Sequence, residues 1–155
     1  SFLVNALKKY RGGDILEPSD QQFVSDDNLF RIQSEVIRQL AKTQSCIIIG
    51  KCANYILKDY DNVIRVYIEA PRRACVESIT HRMRVSPVEA EYLIQKTDKY
   101  RANYYRYYTD GEDWTNPTAY DMTLNSDSIG RSGCVNIIKN YVIQRFGEEA
   151  VNPLT

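Results

Sequence analysis

Residues 45–57, SCIIIGKCANYIL, give the strongest indication of the fold. The apolar run from Cys46 to Ile49 predicts a short β-strand buried on both faces, as the strands of parallel sheets are. The strand should end at Gly50, and Lys51 then opens a segment with helical spacing. A buried strand that runs through a glycine turn into a helix is where open α/β sheets place their ligand sites.

The rest of the chain alternates helices and strands around this stretch. A helix should start at the caps of residues 25–27 and run to about Lys42, because its apolar residues follow helical spacing. Other helices are predicted over residues 1–10, 71–83, about 87–108 and 132–146, strands over 63–68 and 121–125, and loops over 11–20 and 111–118. Strands separated by helices predict a parallel sheet covered by helices.

The composition favours one globular domain that spans residues 1–155. Basic and acidic residues number 20 each, and a zero net charge argues against a protein that coats nucleic acid or an anionic membrane. The four cysteines lie far apart without a CxxC pair, and His81 is the only histidine. We therefore expect reduced thiols in a cytoplasmic protein and no metal site built from these residues.

Lys51 is the first candidate binding residue. An ammonium group beside a helix N-terminus, at the carboxyl end of a strand, suits an anion such as a phosphate. The alternative is a surface lysine that follows a structural turn.

Asp98 and Arg101 form the second candidate, because their i, i+3 spacing places them on one face of a helix. A carboxylate that holds an arginine in position is what a phosphate clamp requires. An ordinary solvated ion pair would show the same spacing.

Two further groups of residues could bind a nucleotide. The run YRANYYRYY at residues 100–108 offers stacking surfaces and cation–π contacts, although tyrosines at the margins of a packed helix would look the same. The basic cluster of Arg72, Arg73, Arg82 and Arg84 could close over phosphates or could be a solvated helix face.

Taken in order, these motifs resemble the cytidylate kinase-like family of P-loop nucleoside monophosphate kinases. The resemblance is carried by DNLFRIQSEVIRQLAK, IIIGKCANYIL, VIRVYIEAP, SPVEAEYLIQKTDKYRANYYRYY and WTNPTAYDMTLNS. It implies an α/β, P-loop NTPase-like parallel sheet covered by helices. Residues 1–70 and 120–147 would form the core, and helices over about 71–110 would form the lid and the acceptor side.

The resemblance also implies an activity. The expected enzyme transfers the γ-phosphoryl group of ATP, with Mg²⁺, to CMP, dCMP or a similar nucleotide. Its partners would be small-molecule nucleotides rather than nucleic acid or a membrane, and its oligomeric state stays open, a homodimer included.

Site residues follow from the resemblance position by position. Lys51 stands where the family has an arginine that holds the acceptor phosphate. Asp98 and Arg101 match the pair that contacts the acceptor and the transferred phosphoryl group. Arg82 matches a lid arginine near the ATP phosphates, so Arg82 and Arg101 are the expected catalytic residues. Asn125 and Ser126 match the loop that borders the adenine of ATP.

The chain departs from the family pattern in three respects. It contains no G-x-x-x-x-G-K-[ST] sequence, so we expect the first βα unit and its phosphate loop to precede Ser1 in a longer protein. The alternative is a remnant that no longer uses ATP. A lysine at position 51 lacks the planar fork of arginine. Cys75 and Ser78 occupy positions where basic residues are expected on the helix that leads to the lid.

A hypothesis from another class stays open beside the kinase. The chain could be a non-catalytic nucleotide- or RNA-binding module that uses the Tyr/Arg helix as a stacking surface. The identity of the acceptor base cannot be predicted from these residues.

Overall fold

The computed structural model describes residues 26–151. The helix predicted over residues 1–10, the loop over 11–20 and the cap at Ser25 lie outside this part of the chain. The chain divides into two compact units, Ser1–Val63 and Ile64–Thr155. The expectation of one domain over residues 1–155 stays a prediction, and each unit is described by itself.

The first unit contains two helices, α1 at Asp26–Thr43 and α2 at Ala53–Ile56. Helix α1 begins with the acidic residues Asp26 and Asp27 and ends with Lys42, an arrangement that complements the helix dipole. Its predicted extent is confirmed. Helices α1 and α2 pack against each other. The amide of Asn62 donates to the carbonyl of Ala41 over 2.9 Å and so ties the end of the unit to α1.

The prediction of a strand at residues 46–49 is wrong. The segment forms no strand, Cys46 is exposed, and Ile47 and Ile49 are 94% and 87% exposed. An apolar run becomes a strand only when a neighbouring strand supplies hydrogen-bond partners. Among the described residues the two strands of the only sheet pair with each other, so this segment has no partner there.

The second unit contains a two-stranded parallel sheet. Strand β1, Val66–Glu69, pairs with β2, Met122–Asn125, in the register Val66↔Met122 to Glu69↔Asn125. Strand β2 lies within the segment predicted for it, and β1 starts within its predicted segment and ends one residue beyond it, at Glu69. Because the strands are parallel, their carboxyl ends meet at one edge of the sheet.

Three long helices accompany the sheet in this unit. They are α3 at Arg72–Met83, α4 at Pro87–Tyr108 and α5 at Ser126–Phe146, with 3₁₀ helices at Pro117–Ala119 and Glu148–Val151. Helices α3 and α4 pack against each other, and α5 packs on β2 and on the last 3₁₀ helix. Ala90, Tyr105 and Leu124 are buried in this unit.

The local sequence determines where these helices begin and end. Ser86 accepts a hydrogen bond from the N–H of Glu89 over 3.2 Å, and Pro87 occupies the first helical position of α4. Helix α5 begins at Ser126 but is interrupted at Gly130, whose φ of 69° and ψ of 172° are not helical, and the part after this kink starts at Arg131, one residue before the predicted start at Ser132. It ends at Gly147 with φ 90°, a conformation that favours glycine.

The described chain is therefore helix-rich with a small parallel sheet, one strand fewer than the sequence predicts. None of the helices seen in residues 26–151 is both long and apolar enough to cross a membrane.

Candidate functional site

The carboxyl edge of the sheet holds the two residues predicted to border adenine. Glu69 and Asn125 are paired in register at the strand ends. The hydroxyl of Ser126 donates to the carbonyl oxygen of Glu69 over 3.1 Å. The side-chain oxygen of Asn125 accepts from the N–H of Asp127 over 3.0 Å and caps α5. Asn125 and Ser126 thus hold the turn between β2 and α5 at this edge.

Arg72 is the first residue of α3 and follows the end of β1 by three positions. Its guanidinium group binds the carboxylate of Glu91 through three hydrogen bonds, Nε–Oε1 at 3.0 Å, Nε–Oε2 at 3.1 Å and Nη2–Oε1 at 2.9 Å. Gln95 donates to the same Oε1 over 3.1 Å. The hydrogen bond with Glu91 raises the pKa of Arg72, and the hydrogen bonds from Arg72 and Gln95 lower the pKa of Glu91.

Asp98 lies between two arginines. Its Oδ2 is 3.4 Å from Nη1 of Arg72, and its Oδ1 is 4.0 Å from Nη1 of Arg101. The structure thus brings the predicted pair together on one face of α4. The side chain of Arg101 is 59% exposed, so its guanidinium group can reach a ligand.

An aromatic cluster stands on β1. The ring of Tyr67 contacts Trp114 edge-on, with 5.8 Å between centroids, and Tyr120 at 5.1 Å. Burial raises the pKa of Tyr67, the charges of Glu69, Asp98 and Asp113 raise it further, and the charge of Arg101 opposes them. Tyr67 therefore lies in the electrostatic field of the Asp98–Arg101 pair.

Lys51 belongs to the first unit and stands in an unusual turn. Gly50, Lys51 and Cys52 have φ values of 68°, 60° and 55°, three consecutive residues in the left-handed region. Such a conformation is costly for residues other than glycine and often occurs at functional sites. The side chain of Lys51 is exposed, while its carbonyl accepts from the amide of Gln33 over 3.2 Å.

The helix after Lys51 is shorter than the sequence predicts. Helix α2 begins at Ala53 and has four residues, too few to support the anion seat expected at a helix N-terminus. Burial raises the pKa of the neighbouring Cys52 thiol to about 11, which makes it a poor nucleophile.

The four arginines of the predicted basic cluster separate into two groups. Arg72 and Arg73 begin α3, where Arg73 pairs with Glu77 at 3.5 Å and Asp127 at 3.3 Å. Arg84 is the C-cap of the same helix, and in the last turn of that helix lies the exposed Arg82. It lies about 15 Å along the helix axis from Arg72, because each residue adds 1.5 Å. The structure therefore does not place Arg82 beside Arg72, which contacts Asp98.

The tyrosine run divides between the interior and the surface, as its spacing predicts. Tyr105 is buried, and its carbonyl accepts from the hydroxyl of the buried Thr109 over 2.6 Å. Tyr100, Tyr104 and Tyr108 form a ladder along α4 with centroid distances of 6.1 and 4.8 Å. These rings contact one another, but Tyr100 stays 67% exposed, so the ladder keeps ring surface that is open to solvent.

The sequence profile of the cytidylate kinase-like family matches residues 1–128. This chain belongs to the cytidylate kinase-like family. The resemblance inferred from the motifs is thereby confirmed at the level of the family.

One solved structure gives a further comparison for this cytidylate kinase-like chain. An uncharacterized protein from Eubacterium ventriosum ATCC 27560 has a similar fold, with a TM-score of 0.73 and 25% sequence identity. The similarity covers 78% of this chain and 76% of that one. No curated protein shows a significant match.

Two residues of the site were not recognised from the sequence. The sequence places Arg72 only in a basic cluster and does not distinguish Glu91 from other surface glutamates. Glu91 and Arg72 are 19 positions apart, and their contact depends on how α3 and α4 pack. The position of Arg72, just after a strand, was the one signal that could have indicated its role.

Proposed function

We propose that this protein is a nucleoside monophosphate kinase that transfers the γ-phosphoryl group of ATP to CMP, dCMP or a similar nucleotide. One observation carries the proposal. In a member of the cytidylate kinase-like family, the residues that match the acceptor pair, Asp98 and Arg101, lie 4.0 Å apart with the guanidinium group exposed.

The chemistry of phosphoryl transfer suits these residues. Negative charge spreads over the oxygens of the moving group, and catalysis consists largely of positioning and of stabilising that charge. The guanidinium group of Arg101 can donate several hydrogen bonds to these oxygens. Asp98 would orient Arg101 and contact the acceptor, while Lys51 would attract the acceptor phosphate as a point charge.

The ATP side of the proposed site involves Arg82, Asn125 and Ser126. Asn125 and Ser126 would border the adenine at the carboxyl edge of the sheet. Arg82, at the far end of α3, would approach the ATP phosphates with the lid. We place the enzyme in the cytoplasm, where both nucleotides are available.

Mg²⁺ would accompany ATP in such a reaction. This ion usually keeps several waters and is held mainly by nucleotide phosphates. Within residues 26–151 no group of three or more His, Cys, Asp or Glu side chains could hold a metal. An ion held mainly by the nucleotide phosphates does not require such a group.

The proposal is tested by ADP formation in the intact protein with CMP, dCMP, UMP and AMP as acceptors. We expect Arg101→Ala to lower kcat by roughly 100- to 1,000-fold, the usual effect of removing a donor to transition-state charge. Arg106→Ala is the matched control, because Arg106 is an exposed arginine on the same helix. It should retain kcat within about twofold.

Two results would count against a kinase. Full activity of Arg101→Ala would remove the assigned role of Arg101. A wild-type protein that phosphorylates none of the four nucleotides, yet binds single-stranded RNA with a steep salt dependence, would favour the binding module instead.

A further inference from the structure

We propose that Arg72 is a positioning residue of the acceptor site, which holds the Asp98 carboxylate in the orientation that Arg101 requires. This inference rests on the proposed function and adds a residue that the family resemblance does not assign. It concerns four side chains, Arg72, Glu91, Asp98 and Arg101.

Arg72 is itself firmly oriented. The carboxylate of Glu91 accepts from Nε and Nη2 of Arg72 at 2.9 to 3.1 Å. The side-chain amide of Gln95, one helical turn further along α4, donates a hydrogen bond to the same carboxylate. A single exposed ion pair contributes little to stability, but a two-sided fork of this kind fixes the plane of the guanidinium group. The remaining nitrogen, Nη1, then lies 3.4 Å from Oδ2 of Asp98.

The backbone of Arg72 is also fixed. Pro71 precedes it at the start of α3 with φ −55°, and β1 ends at Glu69. Arg72 therefore connects the carboxyl edge of the sheet to the middle of α4, where Asp98 and Arg101 lie. This connection lets the sheet determine where the acceptor pair stands.

The charges predict what happens without Arg72. The Asp98 carboxylate is shared between two cations, with Arg72 on Oδ2 and Arg101 on Oδ1. If Arg72 is removed, Arg101 is the one of these two arginines that still pairs with Asp98. The 4.0 Å separation should then close, and Arg101 should be drawn away from the phosphoryl group. We expect kcat to fall and the KM for the acceptor to rise, with the KM for ATP unchanged.

A double-mutant cycle separates this role from a structural one. Arg72→Ala should lower kcat about tenfold in the wild-type background but less than twofold in the Asp98→Asn background, because contacting residues are coupled. Glu91→Gln keeps Arg72 and nearly the same side-chain volume. It should lower kcat and raise the KM for the acceptor, each by a smaller factor than Arg72→Ala does. Equal losses from Arg72→Ala in both backgrounds would overturn the proposal.

Arg38→Ala is the matched control. Arg38 also pairs with a glutamate, Glu35, and its side chain is 41% exposed, as is that of Arg72. Its removal should leave kcat and both KM values unchanged. An equal change in Arg38→Ala and Arg72→Ala would show a general effect of losing an ion pair and would contradict the positioning role.

A readout without turnover distinguishes failure of this inference from failure of the kinase proposal. We would record the Nε–Hε NMR signal of Arg101, labelled with ¹⁵N, in each variant. It should shift in Arg72→Ala and Glu91→Gln but not in Arg38→Ala. If the wild type transfers no phosphoryl group, the kinase proposal fails and this shift still tests the positioning role. An unchanged Arg101 signal in Arg72→Ala overturns that role even in an active enzyme.

Discussion

At the scale of single residues, Asp121 joins the beginnings of the two strands. It precedes β2, and Arg65 precedes β1. One carboxylate oxygen of Asp121 accepts from the backbone N–H of Arg65 over 2.6 Å, and both oxygens receive guanidinium hydrogen bonds at 3.3 Å. Arg145 from α5 approaches to 3.9 Å. Since the side chain of Asp121 is only 15% exposed, little water can replace these contacts.

The charge of Asp121 should make stability depend on pH. Burial alone would raise the pKa of this carboxyl group, but the hydrogen bonds from Arg65 and the charges of Arg65 and Arg145 outweigh burial and lower the pKa below its ordinary 3.8. The folded state thus binds this proton more weakly than the unfolded state. The stabilisation is complete above the unfolded pKa and is lost as the pH falls through the folded pKa.

We predict that Asp121→Asn lowers the free energy of unfolding by about 1–3 kcal/mol at pH 7, because charged hydrogen bonds are lost. Urea denaturation of both proteins at pH 7 and at pH 3 provides the measurement. The difference should shrink at pH 3. Asp59→Asn, at an exposed aspartate, should have little effect at either pH. A difference that is as large at pH 3 as at pH 7 would contradict the assigned pKa.

At the scale of secondary-structure elements, α4 carries both the proposed acceptor pair, Asp98 and Arg101, and the tyrosine ladder, so a stable start of this helix supports both. Ser86 caps it through the N–H of Glu89. We predict that Ser86→Ala lowers the free energy of unfolding by about 1 kcal/mol, the typical cost of losing such a cap. Thermal or urea unfolding gives the value.

Ser78→Ala is the control for this prediction. Ser78 is an exposed serine inside α3, where alanine has the higher helix propensity. The control should be as stable as the wild type or slightly more stable. Equal losses in the two variants would show that the cap contributes nothing of its own.

At the scale of the whole molecule, the balance of basic and acidic residues favours a nucleotide kinase over an RNA-binding module. Basic and acidic residues are equal in number, and the sequence pI is about 6.6. Proteins that bind nucleic acid mainly through phosphates need a basic surface, and they lose affinity steeply as salt increases. Tyr100 in the ladder of Tyr100, Tyr104 and Tyr108 is 67% exposed, so a surface for stacking is available, but the chain as a whole has no excess of basic residues.

We therefore predict no measurable binding of a single-stranded RNA oligonucleotide at roughly 150 mM salt, whereas a nucleotide substrate should raise the unfolding temperature. Fluorescence anisotropy with labelled RNA and thermal unfolding with CMP make the comparison. Arg106→Ala, within the tyrosine run, serves as the control for RNA. Tight RNA binding that falls steeply with salt and weakens in this variant would refute the prediction.

The sequence by itself determined those features that depend on neighbouring residues. The serine–proline–glutamate sequence predicts where α4 begins, and the β-branched run at residues 63–68 locates the first strand of the sheet. The i, i+3 spacing placed Asp98 and Arg101 on one face. The ordered motifs indicate the family that the profile match over residues 1–128 confirms.

Only the tertiary structure decided the features that need a distant partner. Residues 46–49 have the composition of a buried strand, yet a strand requires a hydrogen-bonding neighbour, and the described chain supplies none. Arg72 meets Glu91 and Asp98 across 19 and 26 positions because α3 packs against α4. Local spacing specifies the face of a helix, but the packing of helices determines which charges come together.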